Sequence, residues 1–93
     1  MANLDLKQAV ESNFDCEAEW LRTEHVREES QGRVAFDGDV EIFVIKGHPE
    51  TDIAYAWGYE TEDGRTLPMT ALQVAPVSSA PDAVRVVMTA GER

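Results

Sequence analysis

The stretch that decides the fold runs from Ile53 to Val74 and reads IAYAWGYETEDGRTLPMTALQV. Two runs of alternating side chains flank Asp63-Gly64, and such a dipeptide between alternating runs is the strongest short-range signal of a β-hairpin. A type I′ turn needs positive φ at both central residues, which glycine adopts freely and aspartate tolerates. The sequence therefore predicts a hairpin with Asp63-Gly64 at its tip.

A two-residue turn at this position also predicts which residues of the two strands face each other. Trp57 is expected opposite Thr70, and Tyr55 opposite Leu72, and residues opposite each other share a face. The predicted core face carries Ile53, Tyr55, Trp57, Tyr59, Thr70, Leu72 and Val74. The predicted small face, suited to a close helix, a partner or water, carries Ala54, Ala56, Gly58, Met69, Ala71 and Gln73. Pro68 is expected at a bulge or pointing outward, near an edge of the sheet.

Length and composition predict one domain over residues 1–93. The chain is 43% hydrophobic, which is enough for one modest core. It has no apolar run near the roughly 20 residues that span a bilayer, and its start lacks the pattern of a secretory signal. Its single cysteine, Cys16, excludes an internal disulfide. We therefore expect a soluble, cytoplasmic protein of bacterial type.

The formal net charge is −10, and it is unevenly distributed. Residues 1–31 carry −5, residues 32–64 carry −6 and residues 65–93 carry +1. Binding to a phosphate backbone needs clustered Lys and Arg, so direct binding to nucleic acid is not expected, nor is binding to a membrane. An acidic surface usually serves solubility, but it also permits a basic protein partner.

The N-terminal half shows a helical period followed by an alternating one. Residues 6–14 repeat apolar side chains at helical spacing and predict a short helix, capped by Asn3 and ending near Asn13; an extended arm is the alternative. From Phe14 the pattern alternates through Trp20 with acidic residues between. Residues 21–29 suit either a strand or a helix, and we choose a strand that turns at residues 30–32.

The second strand is predicted from Arg33 to Lys46. Its apolar residues lie on both faces near residues 42–45, as in a central strand that is covered on two sides. Gly38, between two aspartates, predicts a bulge or a tight turn. A C-terminal helix should begin near Ser79, with an apolar stripe at Ala80, Val84, Val87, Met88 and Gly91. The predicted fold is α+β: an antiparallel meander sheet of about four strands, with both helices packed on one face.

Candidate site residues are few, and none forms a known catalytic motif. The candidate ligand- or partner-binding residues are Trp20, Tyr55, Trp57, Tyr59 and His48. His25 and Cys16 are interpreted as a solvated strand residue and a buried small hydrophobe, respectively. The carboxylates at 37, 39 and 41 lack the spacing of a calcium loop, and no zinc-ligand spacing exists. No catalytic residue, metal or cofactor is predicted.

Three functions remain open on this sequence. The first is a non-catalytic interaction module that self-associates or binds a protein through a sheet face or edge. The second is a small-molecule or enzymatic pocket walled by Trp57, Tyr55 and Trp20, with His48 or Cys16 at its mouth. The third is an acidic inhibitor of a basic partner.

Overall fold

The computed structural model describes residues 5–30, 32–61, 63–75 and 77–90. Over these residues the elements are α1 (Leu6–Phe14), β1 (Glu17–Ser30), β2 (Arg33–Lys46), β3 (Ile53–Glu60), β4 (Thr66–Leu72) and α2 (Ala80–Ala90). The strands form one antiparallel sheet in the order β1–β2–β3–β4. The predicted α+β class and antiparallel sheet are therefore confirmed. In this described part, neither helix is long and apolar enough to cross a membrane.

The first hairpin joins β1 to β2. β2 has the predicted bounds, whereas β1 begins at Glu17 instead of Phe14 and includes Ser30, which was predicted in the turn. Residues 21–29 continue β1, so the choice of strand over helix for this segment is confirmed. The pairing shifts register twice, between Trp20 and Arg22 and between Glu28 and Glu29. These two bulges divide the hairpin into a base, a regular middle segment and a tip.

Gly38 does not form the predicted bulge. It pairs in regular register with Val26. A Cβ on Gly38 would lie 3.2 Å from Cζ of the Phe36 ring. The glycine therefore leaves room for this ring to lie over the strand.

The second hairpin, β3–β4, has a register that differs by one residue from the predicted one. Trp57 lies opposite Met69 instead of Thr70, and Tyr55 lies opposite Ala71 instead of Leu72. Trp57 belongs to one core, whereas Leu72 packs against the core on the other side. The prediction that Trp57 and Leu72 share a face is therefore wrong.

The turn explains the shift. The Thr61 amide donates to the Arg65 carbonyl at 2.8 Å, and the Gly64 amide donates to the Thr61 carbonyl at 3.1 Å. Three residues, rather than two, lie between the paired Thr61 and Arg65. Gly64 has a φ of 87°, whereas Asp63 does not have a positive φ. A three-residue loop with glycine in the left-handed position is the next most common hairpin after the two-residue turn.

The two helices pack against opposite faces of the sheet, so the prediction of both on one face is wrong. The core on the α2 side contains Val26, Phe36, Val40, Ile42, Tyr55, Trp57, Val77, Ala80, Ala83 and Val84. The core on the α1 side contains Val10, Ala18, Phe43, Ile45, Ala54 and Ala56. The small face of β3 is therefore the one that α1 covers. The prediction that residues 42–45 are buried on both sides is confirmed.

Local hydrogen bonds fix where each helix begins. Asp5 caps α1, because its carboxylate accepts a bond from the Gln8 amide at 3.0 Å; the predicted cap, Asn3, lies outside the described residues. At α2, the Ser79 hydroxyl accepts a bond from the Asp82 amide at 3.4 Å, as its predicted capping role requires.

We call the part of the sheet that contains all four strands its body. Beyond this body, β1 and β2 continue as an arm. Within the described residues, β3 pairs with β2 only at residues 41–44, whereas β1 pairs with β2 along its length. We define the arm as residues 22–28 and 36–42, the regular segment between the two bulges, of which residues 41 and 42 also pair with β3. Its inner face packs on α2 and holds Glu28, whose carboxylate accepts bonds from the Arg85 guanidinium at 3.1 and 3.3 Å.

Candidate functional site

The aromatic residues predicted to wall one pocket are divided between the two faces of the sheet. Trp57 is 0% exposed and Tyr55 is 4% exposed, and both lie in the core on the α2 side. Trp20 is 57% exposed and pairs with Phe43, a residue of the core on the α1 side. The structure therefore does not bring Trp20 together with Trp57 and Tyr55.

Trp57 is placed for packing. Its ring meets the Phe36 ring edge-on, with centroids 6.2 Å apart. Its buried Nε1 has no hydrogen-bond partner among the described residues. Tyr59, half-buried and opposite Leu67, continues this side of β3.

Tyr55 lines a cavity of about 320 Å³ together with residues at the start of α2. Its hydroxyl donates to Oε1 of Gln73 at 3.2 Å, and burial raises the pKa of this phenol. Arg22 and Glu24 also line the cavity and lie 3.8 Å apart as an ion pair. The volume is at the lower end of the range for small-molecule sites, and neither tryptophan lines this cavity.

His48 has a structural role in its loop. Its Nδ1 accepts a bond from the Glu50 amide at 3.1 Å. The His48 ring also packs against the Phe14 ring in a T-shaped arrangement, with centroids 6.5 Å apart. These contacts tie the loop after β2 to the end of α1.

Cys16 is half-buried, and its Sγ lies 4.0 Å from the Val10 carbonyl oxygen. Burial raises the pKa of the thiol, and the charges of Glu11 and Asp15 raise it further. Because the thiolate is the nucleophilic form, this environment opposes covalent catalysis by Cys16.

The outer face of the arm, turned away from α2, carries a network of polar side chains. The exposed Trp20 adjoins the arm on the other side of the bulge near Leu21. It donates from Nε1 to Oε1 of Glu41 at 2.7 Å, and the Thr23 hydroxyl donates to the same oxygen at 2.6 Å. Glu41 therefore holds the exposed indole in one orientation. A large aromatic side chain that is exposed yet fixed is typical of an interface anchor.

Further along the same face, His25 lies between two aspartates of β2. Its Nε2 is 2.7 Å from Oδ1 of Asp37, and its Nδ1 is 3.1 Å from Oδ1 of Asp39. Hydrogen bonds to Asp39 and to Asp37 raise the pKa of the imidazole. All three side chains are about half or more exposed.

The sequence contained part of the signal for this network. It placed the carboxylates at 37, 39 and 41 on one face of β2 and His25 on a solvated face of β1. A two-residue turn at positions 31–32 would pair His25 with Gly38, and the bulge beside Glu28 moves that pairing to Asp39. The sequence does not reveal this network, because a one-residue bulge determines which β2 residues lie beside His25.

The polar side chains of this network do not converge on one point. Among the described residues, no group of three His, Cys, Asp or Glu side chains is arranged to hold a metal ion. The His25 ring nitrogens face separate carboxylates instead of one shared point. Comparison with known protein families, with curated proteins and with solved structures found no match.

Proposed function

We propose that this protein is a non-catalytic interaction module that binds a protein partner through the outer face of the arm and the adjoining Trp20. The observation that carries the proposal is Trp20, which is 57% exposed and yet held by Glu41. Tryptophan is among the residues that most often dominate binding energy in interfaces. Here it stands beside a polar network that can form the rim of a contact.

The face of the arm is a better candidate than either edge of the sheet. In the second hairpin, bonds link Thr61 to Arg65 and Gln73 to Ile53. The hydrogen-bonded pairs are therefore those with odd residue numbers, and the nitrogen of Pro68, opposite Gly58, points away from β3. A proline at this position removes a donor that an added strand would need. The β1 edge is interrupted by the bulge near Leu21.

The charge supports a partner with a basic surface. The chain has a formal charge of −10, and the outer face of the arm adds Asp37, Asp39 and Glu41 at alternate positions of β2. Each uses one oxygen in the network described above, which leaves a second oxygen for cations of the partner. An acidic inhibitor of a basic protein is a special case of this proposal. We expect the module to act in the cytoplasm, without cofactor and without binding nucleic acid or membrane.

The test is binding by matched variants. The wild type, Trp20→Ala and Leu67→Ala are immobilised and exposed to a lysate of the source organism, after circular dichroism has shown that all three fold. Leu67 is the control because it is also exposed but lies on β4. We expect specific proteins to be retained by the wild type and Leu67→Ala and lost with Trp20→Ala. Equal retention by all three variants, or none by the wild type, would contradict the proposal.

Self-association is a separate form of the same hypothesis and needs its own measurement. Sedimentation equilibrium of the wild type and of Trp20→Ala decides it. A dimer that Trp20→Ala dissociates makes a second copy the partner. A monomer at all concentrations leaves a different protein as the partner.

A small-molecule site is the second candidate, and the cavity of about 320 Å³ beside Tyr55 favours it. Its polar groups, the Tyr55 hydroxyl and the Gln73 amide, bond to each other. A ligand would have to exchange that bond for its own. Thermal-shift screening of polar metabolites against the wild type and Tyr55→Phe tests this, and stabilisation that Tyr55→Phe abolishes supports the cavity as a site.

A further inference from the structure

His25 lies at the centre of the arm. The regular segment runs from the pair Arg22–Ile42 to the pair Glu28–Phe36, and His25 with Asp39 forms the middle pair. The ring spans the two strands, with one nitrogen on Asp39 and the other on Asp37. One side chain of β1 is therefore bonded to two of β2.

This geometry requires a protonated ring. An ionised carboxylate only accepts hydrogen bonds, and a neutral imidazole has a single N–H to donate. Both contacts of His25 are therefore hydrogen bonds only when both nitrogens carry a proton. In the neutral ring, one nitrogen lone pair would face a carboxylate oxygen at 2.7 or 3.1 Å.

Other charges near His25 do not replace that proton. Arg27, the next residue of β1 on this face, pairs with Glu29 at 3.3 Å. Glu41 and the two aspartates follow each other on one face of β2 at intervals of ~7 Å, so they repel one another. On the opposite face, the Arg85 guanidinium bonds to Glu28. Without the imidazolium, the outer face of the arm keeps its carboxylates and loses the cation between them.

The arm is the part of the described sheet where β1 and β2 pair largely without β3. Among the described residues, β3 pairs with β2 only at residues 41–44, and the inner face of the arm packs in the core on the α2 side. The body of the sheet is packed on both faces.

We propose that His25 is a pH-sensitive clamp, whose imidazolium holds the two strands of the arm together and whose deprotonation loosens the arm while the body stays folded. The direction of the pH dependence follows from the linkage between proton binding and folding. The folded pKa is raised, so the stabilisation is fully present below the ordinary value of about 6.5 and is lost as the pH rises through the folded value. The clamp concerns the isolated protein and does not depend on the proposed partner.

The first measurement is an NMR titration of the two imidazole rings. We expect His25 to titrate above about 6.5, the ordinary value. The double variant Asp37→Asn/Asp39→Asn should bring its midpoint back towards that value. A His25 midpoint at or below the ordinary value in the wild type would overturn the clamp.

The second measurement is hydrogen exchange between pH 5 and 9, corrected for the intrinsic exchange rate. We expect protection of residues 22–28 and 36–40, the part of the arm that pairs without β3, to fall a few-fold through the His25 titration, while protection of β3 stays constant. His25→Gln should have a weakly protected arm at every pH, and the control His48→Gln should behave like the wild type. A wild-type arm without pH dependence, or a pH profile that His25→Gln retains, would reject the clamp. Because no partner is present, either result leaves the proposed interaction to its own test.

Discussion

The two faces of β3 carry side chains of opposite size, and each face is covered by a different helix. Residues 54–57 are all buried, but Tyr55 and Trp57 lie on the α2 side, whereas Ala54 and Ala56 lie on the α1 side. Val10 of α1 is 0% exposed above the alanines. Small strand residues are therefore no sign of a wet face, because a helix can cover them closely. The stability of this sheet therefore depends on large side chains on the α2 side of β3 and on small side chains on the α1 side.

Removing volume from the face of β3 that carries Tyr55 and Trp57 should destabilise the protein most. We expect Trp57→Ala to lower the free energy of unfolding by about 3–5 kcal/mol, because it leaves a cavity in a core that relaxes only partly. Urea denaturation followed by circular dichroism measures this loss. The indole Nε1 lacks a partner among the described residues, so Trp57→Ala breaks no hydrogen bond of that group.

The matched control is the other tryptophan. Trp20→Ala removes an equally large side chain that is 57% exposed, and we expect it to cost about 1 kcal/mol or less. Similar losses for both variants would show that Trp20 is as much a core residue as Trp57. That result would also remove the basis for an exposed anchor on the arm.

Adding volume to the small face should have the next largest effect. Ala56 is 0% exposed between β3 and α1, so Ala56→Leu has to displace the helix or strain the rotamer. We expect a loss of about 1–3 kcal/mol. Ala75→Leu, at an exposed position after β4, is the control and should be close to neutral. A neutral Ala56→Leu would mean that α1 does not pack closely here.

The sequence does contain a signal that the two helices lie on opposite faces of the sheet. The apolar residues Phe43 and Ile45 on the second face of β2 predict cover on both sides of the sheet. The alternation of alanine with aromatics in β3 predicts one small and one large face. Together these patterns favour a helix on each face. The assumption that short connections keep both helices on one side was wrong, because α1 and α2 lie at opposite ends of the chain.

The candidate surface was harder to predict, because single bulges decide it. The sequence alternates apolar with acidic residues from Phe14 to Trp20, and this pattern predicts that the apolar residues form a buried row. The register shift after Trp20 changes which face the following residues occupy. Val26 is therefore inward on the α2 side, while Trp20 lies on the other face and stays exposed. Sequence alternation does not reveal such a one-residue shift, whereas it did predict the bounds of β2.

The smallest predicted effect concerns the turn that sets which face each β4 residue occupies. Gly64 has a φ of 87° and Asp63 does not have a positive φ, so only Gly64 needs the conformation that disfavours a side chain. We expect Gly64→Ala to cost about 1–2 kcal/mol. Asp63→Ala should cost much less than Gly64→Ala, because it removes only exposed contacts, the bond from the Thr61 hydroxyl and the ion pair with Arg65. In a two-residue type I′ turn both positions have positive φ, so similar losses at both would restore the other register. Thr70 and Leu72 would then move to the side of Trp57, and the difference between the two faces of the hairpin would be reversed along β4.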